Sequence, residues 1–300
     1  MIVASVDLGT NTTRLLVGRV EDGRIEELHR ETRITRLGEG VDARRRLLPV
    51  PIARVRNALS DYRRTAESLG AERTLLVATS AVRDAENGEA FLGEIEWSYG
   101  FVTRLLSGDE EAELTRRGVG ELGPMTLLAD VGGGSTELAL DGFRTSLPLG
   151  SVRFTERHGE NVEATTEETH ALLPELDPQD AVGVAATITS LAALDLDLDL
   201  EEYDRARVHG HVLTRDGALT QLERLAALPL EQRRRVPALE PNRAPVIVAG
   251  AAILVAILDH YGLESIRVSE RDLLDGAALA AVELPEPEEG AAPPGAYTCC

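Results

Sequence analysis

The 300-residue chain contains no lysine: all 31 of its basic residues are arginine, set against 51 acidic ones for a formal net charge of −20. Nucleic-acid binders ordinarily carry a basic footprint, so this balance argues against such a partner, and any polyanion must be met by a local set of donors. Arginine without lysine reads functionally as a preference for bidentate phosphate recognition, and compositionally as a genome-wide bias that carries little weight here. Cysteine is confined to Cys299 and Cys300, which excludes a disulfide framework. No apolar run reaches bilayer length, and the opening MIVASVDLG enters a strand pattern without a charged and apolar leader. A cytoplasmic protein without membrane association is expected.

What the chain does have is glycine next to acid. LLADVGGGSTELAL, residues 127–140, ends a strand-like run on Asp130 and continues through three glycines to Ser135, Thr136 and Glu137. Successive glycines cost conformational entropy and leave nothing to pack, so they are expected where backbone bends sharply or approaches a ligand. VDLGTNTTRLLV (6–17) lies under ADVGGGSTELAL (129–140) with Asp7 on Asp130, Gly9 on Gly132, Thr13 on Thr136 and Leu15 on Leu138. Each copy follows an apolar run, enters another and meets a turn signal, EDG at 21–23 and DG at 141–142. Two similar domains follow, each offering a hairpin loop to a shared cleft. Backbone amides of such turns form anion-binding concavities, and the matching aspartates suit a hydrated divalent cation.

Between the loops, Ile52, Val55, Leu59, Tyr62, Ala66 and Leu69 share one helical face that Gly70 terminates. RTLLVATSAVRDAENGEAF reads as strand, loop and helix, and FVTRLLSGDEEAELTRRGV repeats that order. Strand patterns at 127–131, 136–140 and 181–185 alternate with helices in the second half, so the class is α/β. RAPVIVAGAAILVAILDHYG (243–262) is apolar almost all round and predicts a buried helix preceded by a short strand. The expected domains are 1–122 and 123–283, with 284–300 as a tail rich in Pro, Glu, Gly and Ala.

Read together with ATSAVRDAENG, LSGDEEAELTRRGV, LPLGSVRFTE, HGHVLT and RAPVIVAGAAIL, the two loops resemble, in order, the exopolyphosphatase and guanosine pentaphosphate phosphohydrolase (Ppx/GppA) family over residues 2–280. The resemblance implies the duplicated actin-like fold shared with sugar kinases, heat-shock proteins and ribonuclease H, with two domains around a phosphate-binding cleft. It implies the short two-domain form, a homodimer, and hydrolysis of a phosphoanhydride with Mg²⁺ or Mn²⁺.

Such hydrolysis needs electrostatic stabilisation and an oriented water more than covalent help. In LSGDEEAELTRRG, Ser107 and Glu110 have the spacing of a capping box, which accounts for Glu110. Glu111 is not needed for the cap, although any acid in a first helical turn gains from the dipole. The resemblance decides its role as catalytic base for the attacking water. By resemblance Asp130 and Glu137 hold the metal and the water, while the amides of Gly132, Gly133, Gly134 and Ser135, with the Ser135 hydroxyl, cradle phosphate. Asp7 adds an outer metal contact, and Asn11, Thr12 and Arg14 are phosphate ligands. Arg14 stands where the second copy has Glu137, an exchange of sign that separates metal handling from phosphate clamping. Ser80 and Arg83 follow a strand end, the usual place for ligand contacts in an α/β sheet, and Gly150, Ser151 and Arg153 are weaker candidates for chain binding.

His209 and His211 lack a third partner for zinc and read as structural. The runs Arg44–Arg46 and Arg233–Arg235 read as solvated loops or as landing points for a polyanion. Two departures from the family pattern stand out: Ala186 in place of glycine before Thr187, and Pro245 in place of aspartate. The first weakens nucleotide binding more than hydrolysis. The leading expectation is hydrolysis of terminal phosphate from inorganic polyphosphate, with guanosine pentaphosphate as rival substrate. An ATP-dependent kinase or ATPase, and a non-catalytic polyphosphate sensor, are the alternatives of another class.

Overall fold

The computed structural model describes residues 1–285, so the Cys299–Cys300 tail lies outside the described residues. The chain divides into two units, Met1–Gly118 with the segment from Leu273, and Val119–Asp272. The first contains strands β1 (Ile2–Leu8), β2 (Thr12–Glu21), β3 (Arg24–Ile34), β4 (Arg73–Ala78) and β5 (Val102–Leu105) in the order β3-β2-β1-β4-β5. The second contains β6 (Thr126–Val131), β7 (Thr136–Leu140), β8 (Phe143–Leu147), β9 (Asp180–Val184), β10 (Val212–Thr214) and β11 (Ser265–Val268) in the order β10-β11-β9-β6-β7-β8.

Read from β8 inward, the second sheet repeats the first and adds β10 at its far edge. In both, two antiparallel hairpins precede parallel pairing of the first strand with the next one reached through helices. The EDG and DG signals are the hairpin tips: Asp22, Gly23, Asp141 and Gly142 all have positive φ, the conformation a two-residue primed turn requires.

Strand β1 is buried almost throughout, as a strand covered on both faces must be. Its alternate residues Ala4, Val6 and Leu8 face a core that includes Val55, Leu59 and Tyr62 of the helix Pro49–Ser68. Val3 faces the other way, with Leu75 and Val77, onto Leu274, Ala277 and Ala278 of the helix Leu273–Ala281. That last helix therefore belongs to the first unit, which corrects the continuous 123–283 domain. The approach is close: a Cβ on Gly276 would lie 1.8 Å from the Leu114 carbonyl oxygen. Ser5 Oγ donates to Leu274 O at 2.8 Å, and Arg30 pairs with Asp275 at 2.9 Å.

In the second unit the core is organised by the helix Ile247–His260, whose first twelve residues are all buried. Residues 241–246 form turns rather than the expected short strand, with Val246 and Ile247 both donating to Arg243 O. Arg233, expected on a solvated loop, is 0% exposed. It donates to the carbonyls of Leu225, Leu228 and Ala244 and pairs with Glu160 at 2.7 Å, so it ties together three turns that a solvated loop would leave apart. No described helix is long and apolar enough to cross a membrane.

Candidate active site

The two loops are hairpin turns in matching register. Asp7 lies opposite Arg14 and Asp130 opposite Glu137, and residues directly opposed on adjacent strands share a face of the sheet. Each turn closes on itself, Gly9 N to Thr12 O and Gly132 N to Ser135 O, both at 3.0 Å. The Gly132 amide, expected to face phosphate, is thus committed to the turn.

The loop carbonyls are committed as well. Thr10 O accepts from Gly38 N at 2.8 Å, and Asn11 O accepts from Thr35 N and Arg36 N. In the second copy Gly132 O accepts from Ser151 N, Gly133 O from Val152 N and Arg153 N, and Gly134 O from Arg153 Nε at 2.6 Å. The glycine loop therefore caps the helix Ser151–His158 with its carbonyls. Meanwhile the amides of Gly133, Gly134 and Ser135 donate to no carbonyl among the described residues. Adjacent amides presented this way form an anion-binding concavity.

The segments behind the loops match too. Thr13 Oγ1 bonds Thr35 Oγ1 at 2.9 Å, and Thr136 Oγ1 donates to Leu149 O at 2.8 Å. A Cβ on Gly38 would lie 2.3 Å from Thr10 Cγ2, and one on Gly150 would lie 2.4 Å from Gly133 O. Gly38 was missed in the sequence, and Gly150 was read as a chain-binding candidate; the structure makes both bare supports against which a loop packs. The signal was present as a shared Leu-Gly after each hairpin, Leu37-Gly38 and Leu149-Gly150. It is out of register with the loops because β7 and β8 have five residues each, against ten and eleven in β2 and β3. Tyr62 adds a further anchor, donating to Thr13 O at 2.8 Å. Burial pushes its phenol well above the ordinary range, so it stays a donor.

In the first unit the candidate residues gather at the carboxyl ends of parallel strands, the expected ligand-binding edge. Asp7, Asn11, Thr12 and Arg14 lie on the first hairpin, Asn11 in its loop and the others on the strand ends beside it. Ser80 and Arg83 start and end the short helix Ser80–Arg83 that follows β4, which runs parallel to β1 with Ala78 opposite Leu8. Glu111 follows β5 on the helix Gly108–Val119. The capping box is present: Ser107 N donates to Glu110 Oε2 at 2.8 Å and Glu110 N to Ser107 Oγ at 3.3 Å. The Ser107 backbone and hydroxyl donors hold the Glu110 carboxyl below its ordinary value. Glu111, by contrast, is only 5% exposed. Its Oε2 accepts from an Arg83 guanidinium nitrogen at 3.0 Å, and the same nitrogen donates to Leu106 O at 2.8 Å. Two adjacent glutamates are thereby divided between a surface cap and an inward carboxylate held by an arginine.

Asp7 accepts from Arg14 Nε at 2.9 Å, so the first loop meets its aspartate with the protein's own cation. In the second loop two carboxylates, Asp130 and Glu137, face each other across the strands, both buried. Ser146, opposite Glu137 on β8, donates to Glu137 Oε1 at 2.6 Å. Among the described residues no group of three or more His, Cys, Asp or Glu side chains is arranged to hold a metal ion. His211 Nε2 instead bonds Asp195 Oδ2 at 2.8 Å, and His209 Nδ1 accepts from Glu270 N at 3.2 Å.

Comparisons with known proteins follow the same lines. Residues 16–283 match the Ppx/GppA phosphatase family. Exopolyphosphatase 2 of Mycobacterium tuberculosis is 36% identical over 313 aligned positions, covering 93% of this chain and 98% of that protein. The guanosine-5'-triphosphate,3'-diphosphate pyrophosphatase of Vibrio cholerae is 29% identical, covering 94% of this chain and 59% of the relative. An exopolyphosphatase-like protein of known structure superposes with a TM-score of 0.85 at 30% identity, covering 93% of this chain and 98% of its own. The Aquifex aeolicus Ppx/GppA family member gives 0.76 at 29% identity, covering 94% and 98%. With duplicated loops, repeated sheet order and matches that span nearly the whole of both partners, the chain belongs to the Ppx/GppA phosphatase family.

Proposed function

We propose that this phosphatase is a Mg²⁺-dependent exopolyphosphatase, acting as a homodimer, that releases the terminal phosphoryl group of inorganic polyphosphate as orthophosphate. The observation that carries the reading is the second loop: its amides at Gly133, Gly134 and Ser135 donate to no carbonyl among the described residues, and Asp130 and Glu137 oppose each other on the strands that flank it. The donor set fits the metal, because Mg²⁺ is usually held by one or two carboxylates completed by water and substrate phosphate oxygens. Asp130 and Glu137 would hold it, with Ser146 orienting Glu137. When bound, the ion neutralises charge on the phosphoryl oxygens as a Lewis acid.

The remaining work falls to the chain's own groups. Glu111 takes the proton from the attacking water, and Arg83 keeps that carboxylate aimed through the bonds already described. The three amides and the Ser135 hydroxyl donate to oxygens whose charge grows as the anhydride breaks. In the first loop Arg14, partly neutralised by Asp7, supplies a phosphate contact together with Asn11 and Thr12, and Asp7 takes the outer metal role. Ser80 adds a hydroxyl at the end of β4.

Polyphosphate is favoured over guanosine pentaphosphate because the 36% identical relative named for exopolyphosphatase is matched along 98% of its length. The guanosine-directed relative is matched along only 59%. Orthophosphate release from polyphosphate, guanosine pentaphosphate and ATP, each with and without Mg²⁺, tests the reading. Metal-dependent release from polyphosphate supports it; release confined to either nucleotide, or none at all, defeats it.

A further inference from the structure

Each peptide unit of the glycine loop joins the carbonyl of one residue to the amide of the next. The unit is planar and trans, so a carbonyl held on one side points the following N–H to the other. Gly132 O accepts from Ser151 N, which aims the Gly133 amide, and Gly133 O accepts from Val152 N and Arg153 N, which aims the Gly134 amide. All three of those donors are backbone. The next peptide differs: Gly134 O has no backbone donor among the described residues and accepts from Arg153 Nε at 2.6 Å. The direction of the Ser135 amide therefore depends on a side chain.

Two further observations set Arg153 apart. In the first loop the matching carbonyl, Asn11 O, accepts from the backbone amides of Thr35 and Arg36, and the residue three beyond the paired Leu-Gly is the buried Val41. The second copy thus replaces backbone donors with a charged side chain. Arg153 also stands in the first turn of the helix Ser151–His158, where no acid is present and where the dipole opposes a cation. A residue kept against its local preference is accounted for by what it holds. Gly134 has no Cβ to resist rotation of the peptide that follows it. Turned over, that peptide would offer a carbonyl oxygen where it now offers an N–H, and a phosphate donor would become a repelling acceptor. A charged donor bonds more strongly than a neutral one and polarises the peptide it holds, which strengthens the N–H on the far side.

We propose that Arg153 is a positioning residue for the hydrolysis, acting through Gly134 O to lock the Ser135 amide towards the phosphoryl oxygens rather than by touching the polyphosphate chain. This rests on the reading that the glycine loop takes the terminal phosphoryl group.

The test separates donor from charge, using steady-state kinetics of the full chain on polyphosphate with Mg²⁺, below the melting temperature of the weaker variant. Arg153→Met fills the space of the stem without a donor. Arg153→Gln keeps an N–H at the same number of bonds from Cβ, without the charge. Deleting a transition-state donor costs about 10²–10³ in kcat, and turning one aside costs less, so Arg153→Met lowers kcat by about 10–100-fold. KM stays within about threefold, because the lost interaction is made in the transition state. Arg153→Gln recovers most of the loss and lies within about tenfold of the wild type, a neutral bond being about half as strong as a charged one. Variants that share one kcat, lowered or not, overturn the positioning role, since the donor then decides nothing. A change confined to KM in both overturns it too, as the mark of a direct phosphate contact. Either result leaves wild-type turnover and the glycine-loop reading standing. A wild type that releases no orthophosphate overturns that reading and the role of Arg153 with it.

Discussion

Replacing Gly150 by alanine isolates the support behind the glycine loop. Gly150 has φ −153° and ψ 146°, an extended conformation open to any residue, so backbone strain is not at issue. With free space, the substitution would stabilise the fold by about 0.4–1 kcal/mol through a less flexible unfolded chain. The space is not free: the new methyl would lie 2.4 Å from Gly133 O, 2.5 Å from Gly134 C and 2.6 Å from Gly133 C. All three atoms are backbone and cannot rotate away, so the loop must shift. Overpacking of this kind costs about 1–3 kcal/mol, leaving a net loss of up to about 2.6 kcal/mol once that gain is subtracted. The larger effect falls on turnover, because displacing a positioned donor set by about 1 Å costs about a hundredfold. Gly38→Ala is the control: its closest contact, Thr10 Cγ2 at 2.3 Å, is the end of a side chain, and the loss is smaller. Initial rates of orthophosphate release and thermal melts of both variants decide the matter. A Gly150→Ala enzyme with full turnover and a raised melting temperature would refute the reasoning.

Five further substitutions, at four sites, extend the argument. Glu111→Gln keeps the contact with Arg83 but removes the base, so kcat falls by about 10²–10⁴-fold with the melting temperature little changed; unchanged kcat removes Glu111 from catalysis. Ser146→Ala removes one donor that orients Glu137 and raises the Mg²⁺ concentration for half-maximal rate by about 10–100-fold, read from a metal titration. Ala185 holds φ +69°, a left-handed conformation that costs a non-glycine residue about 1–2 kcal/mol, so Ala185→Gly raises the melting temperature, and a lowered one counts against strain there. The Arg233 guanidinium holds the Glu160 carboxyl below its ordinary value. Its contribution is present above about pH 4.3, the unperturbed glutamate value, and is lost as pH falls through the depressed one. Glu160→Gln therefore flattens the acid limb of a stability–pH curve, while Arg233→Met costs about 3 kcal/mol in urea unfolding by orphaning three carbonyls.

What could be read from residues alone was local. The hairpin loops, their tips and the separation of Glu110 from Glu111 are set by neighbours within a few positions, and period-2 and capping patterns report such neighbours directly. What escaped was cover supplied from far along the chain. The apolar run of β1 says that two faces need burying, but not that the helix Leu273–Ala281 returns to bury one of them. Arg233 sits in a run of three arginines that looks like surface, and its burial depends on carbonyls left by the turns around Leu225, Leu228 and Ala244. Gly38 and Gly150 matter for what stands opposite them, and hairpin strands of unequal length carry them out of the alignment that exposes the loops.

The same alternation explains how one short stretch both fixes each loop and presents it. Thr12-Thr13 and Ser135-Thr136 occupy equal places in the two copies, and successive residues of a strand point to opposite faces. Thr13 and Thr136 are fully buried and spend their hydroxyls on Thr35 and Leu149. Thr12, one residue before Thr13 on β2, is therefore turned to the opposite side, and Ser135 is the turn residue that precedes Thr136. A slip of one residue in either hairpin would exchange the anchor for its neighbour's hydroxyl and leave a buried hydroxyl unsatisfied, at about 1–3 kcal/mol. The paired hydroxyls thus hold the register, and the register decides which residue the loop offers. The copies can then diverge at the next position, Arg14 in one and Glu137 in the other, without disturbing the frame that both share.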